Sequence, residues 1–115
     1  MTKPLILATL AAVLAAAAPI AQAFPEKTIT IVVPTAAGGG NDAMARTITQ
    51  KLGPLLGQTV IIDNRAGANG SIASAFVARA PADGHTLMLG YIATHAMNPA
   101  LQKLRYDPVA DFAPI

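Results

Sequence analysis

The stretch "TITIVVP" (residues 28–34) sets the tightest limit on what this chain can become. Its apolar core, Ile31, Val32 and Val33, is β-branched and nearly unbroken up to Pro34. Strict alternation would mark a strand wet on one face. A continuous run marks one covered on both faces, as parallel strands between helices are.

The chain beyond Pro34 keeps that rhythm. In "NDAMARTITQKL" (41–52), Ala45, Ile48, Leu52 and, just beyond, Leu55 recur at helical spacings of three and four. Asn41 fits an N-cap, and Asp42 in the first turn suits the helix dipole. Pro54 is expected to end or kink the helix and Gly57 to close it. "TVIID" (59–63) reads as a second strand and "NRAGANG" as a turn. "SIASAFVARA" (71–80) is a second helix, with Ile72, Ala75, Phe76 and Ala80 on one face, and "TLMLGY" (86–91) a third strand. Strand, helix, strand, helix, strand with short links predicts an α/β fold: a parallel βαβαβ sheet with flanking helices.

Two glycine-bearing loops, 35–41 and 65–70, each follow a strand and open a helix. They fall at the carboxyl ends of the strands, where open α/β sheets bind ligands, and "IATHAMNP" (92–99) falls at the same edge. Gly38, Gly39 and Gly40 let a ligand approach main-chain N–H groups with no Cβ in the way. The helix start beyond them adds unpaired donors and a partial positive charge, an anion site that requires no Lys or Arg. The alternative is that the glycines serve only a tight turn. A dinucleotide fingerprint is a rival, since Gly38, Gly40 and Ala43 match G-x-G-x-x-A and Asp63 lies 20 residues on. Pro-Thr-Ala-Ala stands between the strand and those glycines, where the fingerprint puts them directly after it. Asn41 and Asp42 occupy the places of the Walker Lys and Ser/Thr.

Residues 1–23 look like a cleaved export signal: Lys3, an Ala/Leu/Val-rich run, then Ala21-x-Ala23 before Phe24. An uncleaved anchor or a buried helix is the alternative. Removing them leaves 92 residues, 24–115, and takes away Lys3, so the formal charge falls from +2 to +1. That balance offers no basic patch for nucleic acid. Zero cysteines exclude both a disulfide framework and lipid attachment at a mature terminal cysteine. In a bacterial context the destination is the periplasm.

"FPEKTITIVVPTAAGGGNDAMAR", "VIIDNRAGANGSIASAFVARAPADGHTLMLG" and "THAMNPAL…LRYDPVADFAPI" together resemble the N-terminal part of Bug-type extracytoplasmic solute receptors, the binding proteins of tripartite tricarboxylate transporters. Ala37 and Ala66 stand where that family usually has proline, which softens both loops. The resemblance implies part of domain 1 of a two-domain periplasmic-binding-protein (Venus-flytrap) fold, with the second domain absent from these residues. It implies a small carboxylate ligand, a membrane permease as partner, no cofactor, and a monomer when complete.

The candidate ligand residues are Thr35, Gly38, Gly39, Gly40, Asp42, Asn69, Gly70, Tyr91 and Thr94. Asp42 would repel a carboxylate about 5 Å away by roughly 3 kcal/mol at an effective dielectric near 20. It therefore either turns away as a helix-start charge or meets a ligand ammonium or hydroxyl. Arg65 either pairs with a ligand carboxylate or ties down its own loop. Tyr91 and Thr94 either offer hydroxyls to a ligand or serve packing and a turn. His85, in the Asp83-Gly84 turn, is expected to be exposed. His95 follows Thr94, and two histidines without a cysteine make a poor metal set. No G-x-S-x-G elbow surrounds Ser71 or Ser74, so an exported enzyme is the weaker reading.

Cleavage before Phe24 is the first testable expectation. Intact mass of periplasmic protein should lack residues 1–23 and begin at Phe24, and Met1 retained on membrane-bound material would reject it.

Overall fold

The computed structural model describes residues 23–115, so the expected leader lies outside the described residues except for Ala23. Three strands form one parallel sheet: β1 (Ile29–Val33), β2 (Val60–Asn64) and β3 (Thr86–Met88). Their spatial order is β2-β1-β3. β1 pairs with β2 from Ile29↔Val60 to Val33↔Asn64, and with β3 from Thr30↔Thr86 to Val32↔Met88. Its central place accounts for the continuous apolar run. Ile29, Ile31, Val32 and Val33 are all buried, Val32 and Val33 completely.

Helix α1 (Gly40–Leu56) covers β1 and β2, and helix α2 (Ser71–Val77) covers β1 and β3. The two crossovers run in opposite directions across the sheet, and right-handed connections then put the helices on opposite faces. Ile31 and Val33 meet Ala45 of α1, with Leu52, Val60, Ile62, Leu87 and Leu89 packed around them. Val32 alternates to the α2 side.

The expected elements survive with corrected edges. α1 runs through Pro54 to Leu56 instead of stopping at 52. Proline so near the C-terminus forfeits one donor while its fixed φ already suits a helix. Gly57 closes α1 as expected, left-handed at φ 62°, its N–H reaching the Gly53 carbonyl. The N-cap is Gly39, not Asn41. α2 ends at Val77 instead of 80, and β3 is three residues long instead of six.

The buried faces of the helices also differ from expectation. α1 buries Asp42 and Ala45 and half-buries Thr49, Leu52 and Leu56, while Ile48 is 43% and Leu55 81% exposed. Positions 45, 49, 52 and 56 describe a helical stripe as good as 45, 48, 52 and 55. Anchoring the polar Asp42 inward selects the first. α2 presents small Ala73 and Ser74 to the sheet, which lets its backbone approach closely, and leaves Ile72 (53%) and Phe76 (39%) outward. Among the described residues no helix is long and apolar enough to cross a membrane.

The sheet core and the rotated face of α1 can be tested by chemical denaturation, the first at Ile31 of β1 and the second at Leu55 of α1. Ile31→Ala should cost about 2–5 kcal/mol, the range for truncating a large core aliphatic. Leu55→Ser should stay within about 0.5 kcal/mol, as exposed substitutions do.

Candidate functional site

The order β2-β1-β3 makes the chain reverse direction across the sheet between β1 and β3, the position where open α/β sheets form a crevice. The loops after β1, β2 and β3 all open there. Gly70 is where they meet. A Cβ on Gly70 would lie 2.6 Å from Thr94 Cγ2, 3.1 Å from Pro34 Cβ and 3.2 Å from Tyr91 Cε1, and its φ of 86° is left-handed as well. Only glycine lets three loops close on one point in this way.

The loop after β1 is held from behind by Asp42, which is 2% exposed. Asp42 Oδ2 accepts from the Gly38 N–H (2.8 Å) and from Arg46 Nε (2.8 Å). Its Oδ1 accepts from Arg46 Nη2 (3.2 Å) and Asn64 Nδ2 (3.1 Å). The Arg46 guanidinium first, then the Gly38 N–H and Asn64, hold the carboxyl down at about 2 against the opposing effect of burial. Asp42 thus turns inward and spends its charge on the loop.

The exposed side of the same loop is bare. A Cβ on Gly38 or Gly40 would meet nothing within 4 Å, whereas one on Gly39 would touch the Ala36 carbonyl at 3.4 Å. The left-handed residue is Gly38 (φ 85°), and Gly39 is extended. The first bond of α1 runs from the Ala43 N–H to the Gly39 carbonyl (2.9 Å). The amides of Gly40, Asn41 and Asp42 precede it and so have no carbonyl of the helix to reach. Nearby, Thr35 gives its carbonyl to Asn64 Nδ2 (3.2 Å), while its buried hydroxyl has no partner.

After β2 the backbone turns left-handed at Ala68 (φ 45°), Asn69 (φ 52°) and Gly70. Arg65 ties this loop down: its Nε is 2.7 Å from Asp63 Oδ2 and its guanidinium carbon lies 3.5 Å over the Phe76 ring. Asp63, the residue a dinucleotide ribose would need, is thereby engaged. After β3 the chain forms a π-type turn (Ala93–Met97) and helix α3 (Asn98–Leu101). The Tyr91 hydroxyl reaches the rim, 3.4 Å from both the carbonyl and Oδ1 of Asn69. Thr94 is fully buried, and its hydroxyl donates to the Tyr91 carbonyl (2.8 Å) and accepts from the Tyr91 N–H (3.2 Å). It closes the turn and faces no open space. The Tyr106 hydroxyl caps the Thr94 carbonyl at 2.6 Å, and Phe112 packs edge-on against His95 at 4.9 Å.

The expectation of an exposed His85 is overturned. It is 6% exposed, beneath the Phe24 ring (centroids 4.9 Å apart) and 3.3 Å from Asp83 Oδ1. Packing by the residue just after the expected cleavage point is invisible to turn propensity. Sequence reasoning also missed Arg46, Asn64 and Asn98. Arg46 had a readable signal, lying four residues after Asp42 on one helix face. No group of three or more potential metal ligands occurs among the described residues. A separate apolar groove of about 760 Å³ runs between the outer face of α2 and residues 102–105 and includes none of the candidate ligand residues.

The sequence profile of the tripartite tricarboxylate transporter family receptor (TctC) matches residues 44–115. The chain is 45% identical over 74 residues to protein BugT of Bordetella pertussis, covering 64% of this chain and 23% of that one. MatC from Rhodopseudomonas palustris, solved with bound malate, superposes with a TM-score of 0.75 at 47% identity, over 79% of this chain and 31% of that chain. A second R. palustris protein, solved with adipate, gives 0.71 at 41% identity, over 75% and 29%. The chain spans only 28–35% of the length of the curated relatives it matches over most of its own length.

Because the Asp42 carboxyl is held low, its support for the fold is complete above about pH 4, the ordinary carboxylate range. It is lost as pH falls through its own value of about 2. Asp42→Asn should therefore melt lower than wild type at pH 6, and the gap should close between about pH 4 and 2. Thermal melts across that range check it.

Proposed function

The chain belongs to the tripartite tricarboxylate transporter receptor family, and from that membership we propose that its three loops bind a small organic carboxylate for delivery to a membrane permease. On this reading residues 24–115 form one α/β lobe of a two-lobed, periplasmic solute receptor. Residues 1–23 direct its export. The observation that carries the proposal is the opposition of two sides in the loop after β1. Asp42 neutralises itself against Arg46 at the back, while the amides of Gly40 and Asn41 stand at the front of a 17-residue helix with open space before Gly38 and Gly40. A helix start with bare backbone donors favours an anion, and a carboxylate oxygen fits it without a cationic side chain. The malate and adipate found in two similar structures both present such a group. Rim side chains, Asn69 and Tyr91, then select among carboxylates.

Gly40→Val gives the decisive test. A Cβ there meets nothing within 4 Å, so the new side chain extends from an unobstructed backbone position into the space the proposed ligand would fill. Malate, adipate, NAD and ATP would be titrated into isotope-labelled protein while amide shifts are followed. A micromolar receptor gains about 8 kcal/mol, so one lobe supplying half would bind at roughly millimolar. Malate or adipate should move Gly38, Gly40 and Asn41, and Gly40→Val should weaken this at least about tenfold, the equivalent of about 1.4 kcal/mol, with an unchanged melting temperature. A nucleotide response at these amides, or undiminished binding by Gly40→Val, overturns the reading.

A further inference from the structure

The turn at 68–70 holds three consecutive residues in left-handed backbone, and two of them, Ala68 and Asn69, are not glycine. An L side chain resists that conformation because its Cβ crowds the following carbonyl. Something outside the turn has to hold it. Asn98, at the start of α3, is 2% exposed and has both ends of its amide committed there. Its Nδ2 donates to the Asn69 carbonyl (2.9 Å) and to Ser71 Oγ (3.1 Å), and its Oδ1 accepts from Asn69 Nδ2 (2.9 Å). It grips main chain and side chain of the same left-handed residue, whose φ and ψ are 52° and 38°.

We propose that Asn98 is a positioning residue for the ligand loops: it holds Asn69 left-handed and thereby keeps Gly70 at the point where the three loops meet. This rests on the carboxylate-binding reading above. Asn98 itself has no free polar atom to offer a ligand. Its influence passes through geometry. If Asn69 relaxes, the Tyr91 hydroxyl loses both of its Asn69 acceptors, and Gly70 leaves its seat against Thr94 and Pro34. The loop after β3 would then be holding the loop after β2 in shape, although the two are 29 residues apart in sequence. Asn98 lies within "NP", which as a sequence reads only as a turn signal.

A variant cycle on the full chain tests this, with malate as the probe. In Asn98→Ala, the HN–Hα coupling of Asn69 should leave its left-handed value, and the amides of 68–71 should shift while those of β1 and β2 stay. Malate affinity should fall at least about tenfold, and the same change in an Asn69→Gly background should cost less than about twofold, because glycine adopts the turn unaided. Equal losses in both backgrounds would mean that Asn98 acts by packing, and an unchanged coupling in Asn98→Ala would mean that it does not hold the turn; either overturns the proposal. If Asn98→Ala fails to fold, Asn98→Asp keeps the volume and the acceptor but loses the donor, and the same readings apply to it. Wild-type protein that ignores both malate and adipate overturns the carboxylate reading alone, and the coupling of Asn69 then decides the role of Asn98; where only adipate binds, adipate replaces malate as the probe.

Discussion

The buried carboxylate of Asp42 is the constraint on which the site depends. It accepts four hydrogen bonds, from Gly38, Asn64 and twice from Arg46. These tie the loop after β1, the first turns of α1 and the end of β2 into one unit. The same bonds fix the rotation of α1 about its axis, because the helix cannot turn Ile48 inward without dragging Asp42 out. They also remove an electrostatic contradiction. An acid in a loop suited to anions would oppose its ligand, but this one is paired, turned away and shielded by the glycine backbone that it shapes. Arg46 serves a structural end: its guanidinium answers Asp42, and on the proposed reading recognition is left to main-chain groups.

A second constraint joins the three loops. Gly70 is a contact point with no room for a methyl group, so the positions of Pro34, Tyr91 and Thr94 are set against one another. Thr94 is in turn held from below by Tyr106, and His95 by Phe112. The segment after α3 therefore buttresses the loop after β3. Buried polar groups here are almost all matched, which is what lets irregular backbone pack this closely. The hydroxyl of Thr35 is an exception, unpartnered beside the open face of the first loop.

Much of the architecture was legible because it stems from local pattern. The unbroken β-branched run of β1 required two covered faces, and the alternation of elements required a parallel sheet. The glycines marked a loop whose exposed side is bare backbone, and the competing structural reading of Asp42 already contained its inward turn. Legibility failed where tertiary contact chose between equal local options. Two apolar stripes on α1 shared Ala45 and Leu52, and only the anchoring of Asp42 decided between them. On α2, volume misled: Ile72 and Phe76 are the larger apolar residues, yet close approach to the sheet favoured Ala73 and Ser74. His85 was misplaced for a related reason, whereas Thr94 closes its turn, one of the two roles its sequence allowed. The neighbour that covers His85, Phe24 far upstream, is not expressed in any short window.

Recognition through backbone, as proposed, would have a consequence for charge. A protein that gathers anions with lysines and arginines carries a basic patch, and its affinity falls steeply with salt. Here the formal charge of residues 24–115 is +1. The cations next to the site are already occupied, Arg46 by Asp42 and Arg65 by Asp63. On the proposed reading, attraction comes from fixed N–H dipoles acting over hydrogen-bond distance, where solvent ions have little room to screen. Such donors need shape more than charge, because a hydrogen bond weakens steeply once its N–H no longer points at the acceptor. That accounts for the effort the fold spends behind the loops: a paired acid under the first, a gripped left-handed turn in the second and a capped π-type turn in the third.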